Sequence, residues 1–175
     1  MKNYLKADDV AKPIIFLRRL TDEDAERYHK ISHSSEDIRW YVPFAVFNTL
    51  AETTSQVHKW SNADFQKEFV FAITLMNVNG KSKVIGTIWA DMSKSQNSVS
   101  ICYFMANKYR EHGYTKKAVS QLLRYLHENT WYDSALFYVE QGNEISKELV
   151  VSLGGQQVAI IDEWLGRFYQ YEILL

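Results

Sequence analysis

The residue pattern predicts an α/β fold with a mixed sheet. Between Phe69 and Met105, extended apolar segments are separated by short polar turns, one of them Asn79-Gly80, which is the pattern of an antiparallel meander. Beyond Met105 the apolar period lengthens to that of a helix, and strands and helices then alternate to the C-terminus.

Ile14, Ile15, Phe16 and Leu17, ending at Arg18-Arg19, are rich enough in β-branched and aromatic side chains for a first strand. Thr21 with Asp24 approximates a capping box, and the acids at 22–24 suit the positive end of a helix on which Ala25, Tyr28, Ile31 and Ser32 recur. Trp40, Tyr41, Phe44 and Phe47 crowd around Pro43 within 37–48, which predicts a loop or broken helix. Thr49 with Glu52 opens a second helix expected to reach about Phe65, with Val57, Trp60 and Phe65 facing inward. The meander strands span 69–75, 84–89 and 99–105, with a polar turn at 94–98 before the last. Over 115–128, Ala118, Val119, Leu122, Leu123 and Leu126 share one helical face. A strand at 135–139 and a helix at 144–153 follow, the helix stopped by Gly154-Gly155, and 158–161 and 168–174 read as a closing pair of strands.

Composition narrows the function. The chain has 175 residues, with 20 Lys plus Arg against 21 Asp plus Glu, so no basic excess exists to grip a phosphate backbone, and nucleic acid is not an expected partner. The single cysteine, Cys102, excludes an internal disulfide and a cysteine-rich zinc site, which fits a reducing interior. No apolar run approaches the roughly 20 residues that span a bilayer. The first residues are charged and lack the apolar centre of a signal peptide. A cytoplasmic protein without membrane partners is the expectation. With 2 Pro and 7 Gly there is little linker material, which predicts a short lead at 1–13 and one domain over 14–175. The closing strand Phe168 to Leu174 is a candidate sheet edge, and hence a candidate homodimer contact.

The turn Asn107-Lys108-Tyr109-Arg110-Glu111-His112-Gly113-Tyr114-Thr115 joins an apolar strand to an amphipathic helix. Unpaired amides and the helix dipole favour a phosphate at such a turn, Gly113 permits close approach or positive φ, and Arg110 with Lys116 or Lys117 adds charge. This stretch resembles the acetyl-CoA signature of the GNAT acetyltransferases, Arg/Gln-x-x-Gly-x-Gly/Ala after a strand, with Arg110, Gly113 and Thr115 in its positions. Thr115 departs from the usual small residue. Ile85 to Ile88 and Ser100 to Met105 resemble the family's third and fourth strands. Asn143-Glu144-Ile145-Ser146, then Leu149 and Leu153-Gly154-Gly155, is similar to its Asn-x-x-Ser helix and the Leu-Gly that follows. The similarity runs from about Ile14 to the C-terminus and is nearest the branch of ribosomal-protein N-terminal and spermidine-type acetyltransferases.

The resemblance implies a mostly antiparallel central sheet flanked by helices, acetyl-CoA as cosubstrate, and transfer to a primary amine by direct attack in a ternary complex. It implies that the backbone of Phe104, Met105 and Ala106 holds the pantetheine arm, with the Met105 amide near the thioester carbonyl. Arg110, Glu111, His112, Gly113, Tyr114 and Thr115 would hold the pyrophosphate. Asn143 would hold the pantetheine amide or a water and Ser146 would donate to the sulfur; an N-cap role is the other reading of Asn143. Tyr138 and Tyr169 are alternative proton donors, with buried packing the favoured reading of each. Family members often carry a Glu on the fourth strand where this chain has Ser100, which leaves Glu140 and Asp91 as candidate bases.

Trp40, Tyr41 and Phe44 read either as core or as the wall of an acceptor pocket, where Glu36 and Asp37 would suit a cation. His29 and His33 lack a third ligand, so no metal is expected, and Cys102 reads as packing rather than as a nucleophile paired with His112. The alternative to an enzyme is an acyl-CoA-binding regulatory module, motivated by Ser100 and Thr115.

Overall fold

The computed structural model describes residues 13–63, 68–77, 79–92, 97–164 and 166–175. The expected lead at 1–13 lies almost wholly outside these residues, as do Phe65 and most of the polar turn at 94–98. Among the described residues seven strands form one sheet: β1 Ile14–Arg19, β2 Glu68–Met76, β3 Ser82–Asp91, β4 Ser98–Met105, β5 Ser134–Glu140, β6 Gln156–Glu163 and β7 Gly166–Leu174. Their spatial order is β1-β2-β3-β4-β5-β7-β6, and every neighbouring pair is antiparallel except β4 with β5. That parallel pair requires a crossover, which is supplied by helix α4, Tyr114–Asn129.

Helix α1, Ala25–Ser32, and helix α3, Leu50–Ser61, cover the β2–β3–β4 half of the sheet. The ring of Tyr28 sits 5.5 Å from Trp60 and 5.7 Å from Phe104, and Trp89 packs on both Trp60 and Phe104. α4 buries Ala118, Val119, Leu122 and Leu126 and lies along β1, where Gln121 donates to the Ile15 carbonyl at 2.8 Å. Helix α5, Glu144–Ser152, packs on β5 through buried Val150.

The stretch 37–48 is the expected broken helix: helix α2, Glu36–Tyr41, ends before Val42 because the residue preceding Pro43 is turned from the helical region, and a 3-10 turn, Pro43–Ala45, follows. Two expectations change. α3 stops at Ser61, four residues before Phe65, although the Thr49–Glu52 capping box that opens it is present, with bonds of 3.1 and 3.2 Å. The strand 168–174 is not an edge: β7 lies between β5 and β6, because the chain lays β6 outermost after α5 and then folds back by a hairpin.

Candidate active site

The site begins where β4 and β5 part. Their register covers only Ser98–Ser134, Val99–Ala135 and Ser100–Leu136, yet β4 continues to Met105 and β5 to Glu140. The Ala106 amide donates to the Ile85 carbonyl of β3 at 2.9 Å. Backbone groups alternate along a strand, so Phe104 also faces β3, while Tyr103 and Met105 turn their N–H and C=O into the opening. The Met105 carbonyl there accepts from Arg110 Nε at 3.1 Å. β3 approaches this segment closely because residue 86, opposite Met105, is glycine: a Cβ there would lie 2.4 Å from the Phe104 carbonyl oxygen.

At the end of β4 the chain makes a 3-10 turn, Asn107–Tyr109, and enters α4 through two residues of positive φ, Glu111 at 62° and Gly113 at 70°. The first ladder bond of α4 is Lys117 N–H to the Gly113 carbonyl, so the amides of Tyr114, Thr115 and Lys116 lie ahead of it. Among the described residues no side chain caps this end, its first turn holds no acid, and a Cβ at Gly113 would meet no atom within 4 Å. Arg110 is held against Asp37 of α2 at 2.5 Å. Burial opposes the charge on Asp37, but the Ser35 hydroxyl and the Arg110 guanidinium hold its carboxyl below the usual range.

Across the opening, Asn143 caps α5, its Oδ1 accepting from the Ser146 amide at 3.2 Å. The Ser146 hydroxyl lies 2.8 Å from the Tyr103 hydroxyl of β4. Burial, only partly offset by that bond, pushes the Tyr103 phenol up to about 12. These groups wall a groove of about 1080 Å³ that runs from α2 past β4 to the start of α4 and along α5.

The groove brings together Phe104, Met105, Asn143 and Ser146 with Tyr41 of α2, and Arg110, Glu111, Gly113, Tyr114 and Thr115 form its far end. It does not bring in Ala106, which is buried with its amide already bonded, nor His112, whose ring stacks on Tyr114 and whose Nδ1 meets the Arg110 carbonyl. Glu140 is also off the wall; its carboxylate lies beside Gly166. Asp91 is set against Glu68 and Ser100 of neighbouring strands. Trp40 is 69% exposed, and Phe44 projects at the surface with its ring edge on Trp89, so neither lines the groove. The rings of His29 and His33 lie 4.3 Å apart at a tilt of 47°, with one Nδ1 meeting Thr53 Oγ1 and the other the His29 carbonyl. Tyr103 is the site residue that sequence reasoning missed; its signal was a phenol two positions before Met105, on the same strand edge.

A parted strand pair with amides turned inward, beside an acid-free helix N-terminus, suits an extended, amide-bearing ligand ending in an anion. The chain belongs to the GNAT acetyltransferase family: the model described as the acetyltransferase (GNAT) domain matches residues 15–156. It is therefore an acyltransferase of a family whose acyl donor is acetyl-CoA, and the parted strands and open Gly113 turn fit that donor.

The fold is similar to that of a GNAT-family acetyltransferase from Bacillus anthracis, at 21% identity, with 91% of this chain and 94% of that chain covered and a TM-score of 0.76. It is similar to spermidine N-acetyltransferase from Vibrio cholerae, solved with CoA and spermine, at 15% identity, 91% and 95% coverage and a TM-score of 0.76. The microcin C7 self-immunity acetyltransferase, solved with acetyl-CoA and AMP, is similar at 15% identity, with 92% of each chain covered and a TM-score of 0.77. No curated protein matches the chain.

Proposed function

We propose that the chain moves the acetyl group of acetyl-CoA to a primary amine, on a peptide or protein N-terminus or a small amine, by direct attack in a ternary complex. The observation that carries this reading is the parting of β4 from β5, which sets the Met105 amide and the Ser146 hydroxyl on one groove. The reaction forms a carbon–nitrogen bond and breaks the carbon–sulfur bond, while the amine loses a proton and the departing sulfur gains one. The Met105 N–H is suited to the carbonyl oxygen as negative charge develops on it. The Ser146 hydroxyl is suited to donate to the sulfur, and Asn143 fixes the helix end that carries it. The first-turn amides of α4, with Gly113 and Lys116, suit the pyrophosphate. Thr115 contributes here through its amide, so its bulk beyond the usual small residue does not close the turn. On the acceptor side of the groove, the carboxylates of Asp37 and Glu144 are paired with Arg110 and Lys147, which leaves that of Glu148 as the one suited to favour a cationic amine. The likeness to a spermidine acetyltransferase supports the same choice.

The test is release of free thiol from acetyl-CoA with spermidine and with short peptides bearing free N-termini. Wild type turns over with at least one of them, and Ser146→Ala lowers kcat by roughly 10- to 1000-fold with CoA affinity retained. Equal turnover in the variant removes Ser146 from the mechanism. Tight CoA binding with no thiol release from any amine would instead describe a binding module.

A further inference from the structure

The contact between Tyr103 and Ser146 joins two elements that neither the local sequence nor the CoA signature links. Tyr103 lies on the free edge of β4 and Ser146 in the first turn of α5, with their hydroxyl oxygens 2.8 Å apart. Resting on the reading of this groove as the acetyl-CoA site, we propose that Tyr103 is a positioning residue: its hydroxyl donates to Ser146 Oγ and so turns the serine proton into the opening between β4 and β5, toward the sulfur that leaves.

The direction of that bond follows from acidity. A phenol is a stronger acid than an alcohol and the better donor of the two, and the serine oxygen accepts while keeping its own proton for a second partner. Desolvation keeps the Tyr103 phenol protonated up to about pH 12, so the donor is intact at any working pH. Ser146 is free for this duty because the capping bond at α5 is made by Asn143 to the Ser146 amide, which leaves the Ser146 hydroxyl unused by the helix end. A serine in a helix otherwise bonds back to a carbonyl of the preceding turn, and Tyr103 holds it away from that state. Tyr103 itself forms and breaks no bond to substrate; the serine proton stays on its oxygen and hydrogen-bonds the departing thiolate, which takes up the proton that the attacking amine releases.

The experiment is a double-mutant cycle with Tyr103→Phe, Ser146→Ala and the pair, read in two ways. The first is ultraviolet titration of the thiol of bound CoA. The serine hydrogen bond stabilises the thiolate, so Tyr103→Phe is expected to raise the bound thiol pKa by about one unit, and Ser146→Ala by at least as much. In the Ser146→Ala background, Tyr103→Phe adds nothing further. The charged groups on the groove are Asp37 of α2, Arg110 and Glu111 of the loop, Lys116 of α4, and Glu144 and Glu148 of α5. All are the same in the four proteins, so the comparison isolates the two hydroxyls. The second readout is turnover: Tyr103→Phe lowers kcat about tenfold with KM for acetyl-CoA unchanged, and only while Ser146 is present.

CoA that binds but titrates alike in wild type and Tyr103→Phe overturns the proposal alone, as does an equal loss from Tyr103→Phe in both backgrounds, which would mark a structural role. CoA that does not bind wild type overturns the reading of the groove, and the proposal with it.

Discussion

Gly113 has the most demanding position in the site. Its φ of 70° and the empty space where a Cβ would point serve two separate needs, a left-handed turn and an open approach to the first amides of α4. Gly113→Ala meets no atom and carries only the backbone penalty of about 1 kcal/mol, so calorimetric titration should show CoA binding retained but weakened. Gly113→Glu puts a carboxylate where a pyrophosphate would lie and should abolish binding; unchanged affinity in that variant would detach this turn from the ligand. That Arg110, Gly113, Asn143 and Ser146 share one groove was legible through the family resemblance, whose motifs are short spacings within one turn. Tyr103 was not, since its contact spans 43 residues and exists only because two strands part. Trp40 and Phe44 show the converse: aromatic composition marks a segment but not the direction its side chains take, and both lie at the surface.

One element shapes the groove and another ties β1 to the entry of α1. Gly86 lets β3 lie close behind the free edge of β4, and Gly86→Ala must displace backbone because the added Cβ would stand 2.4 Å from the Phe104 carbonyl oxygen. The expected cost is about 1–3 kcal/mol in chemical denaturation, with CoA affinity falling as the Met105 edge moves; unchanged stability and affinity would separate β3 from the site. The second element is the entry to α1, where buried Asp24 accepts two bonds of 2.7 Å from Arg18 and further bonds from Thr21. Burial works against the Asp24 charge, but these donors hold its carboxyl below its ordinary value. A depressed folded value means stability that is present above the unfolded pKa, near 3.9, and lost as pH falls through the folded one. The thermal midpoint of wild type should therefore fall more steeply below about pH 4 than that of Asp24→Asn, and parallel slopes would deny the pair this role. Thr21–Asp24 was visible as a helix start, but its tie to Arg18 needed the strand and helix side by side.

At the scale of the whole molecule, the site is a consequence of strand order. A meander that ends in a parallel neighbour, reached by a helical crossover, leaves one junction where pairing covers only three residues and both strands then diverge. The β–α alternation that produces this order was legible in the hydrophobic periods, whereas the length of the shared register was not, because it belongs to two strands far apart in sequence. A ligand bound in that junction ties its two halves together, so CoA at a hundredfold excess over its Kd should add about 2.7 kcal/mol to stability and raise the thermal midpoint by roughly 5–10 °C. The most direct test is calorimetric titration of acetyl-CoA, with CoA alongside, into wild type and Gly113→Glu. Wild type should bind both ligands one-to-one with micromolar affinity, and the variant should bind neither. Absence of binding to wild type, or equal binding to the two proteins, would contradict the assignment of the β4–β5 groove as the acetyl-CoA site.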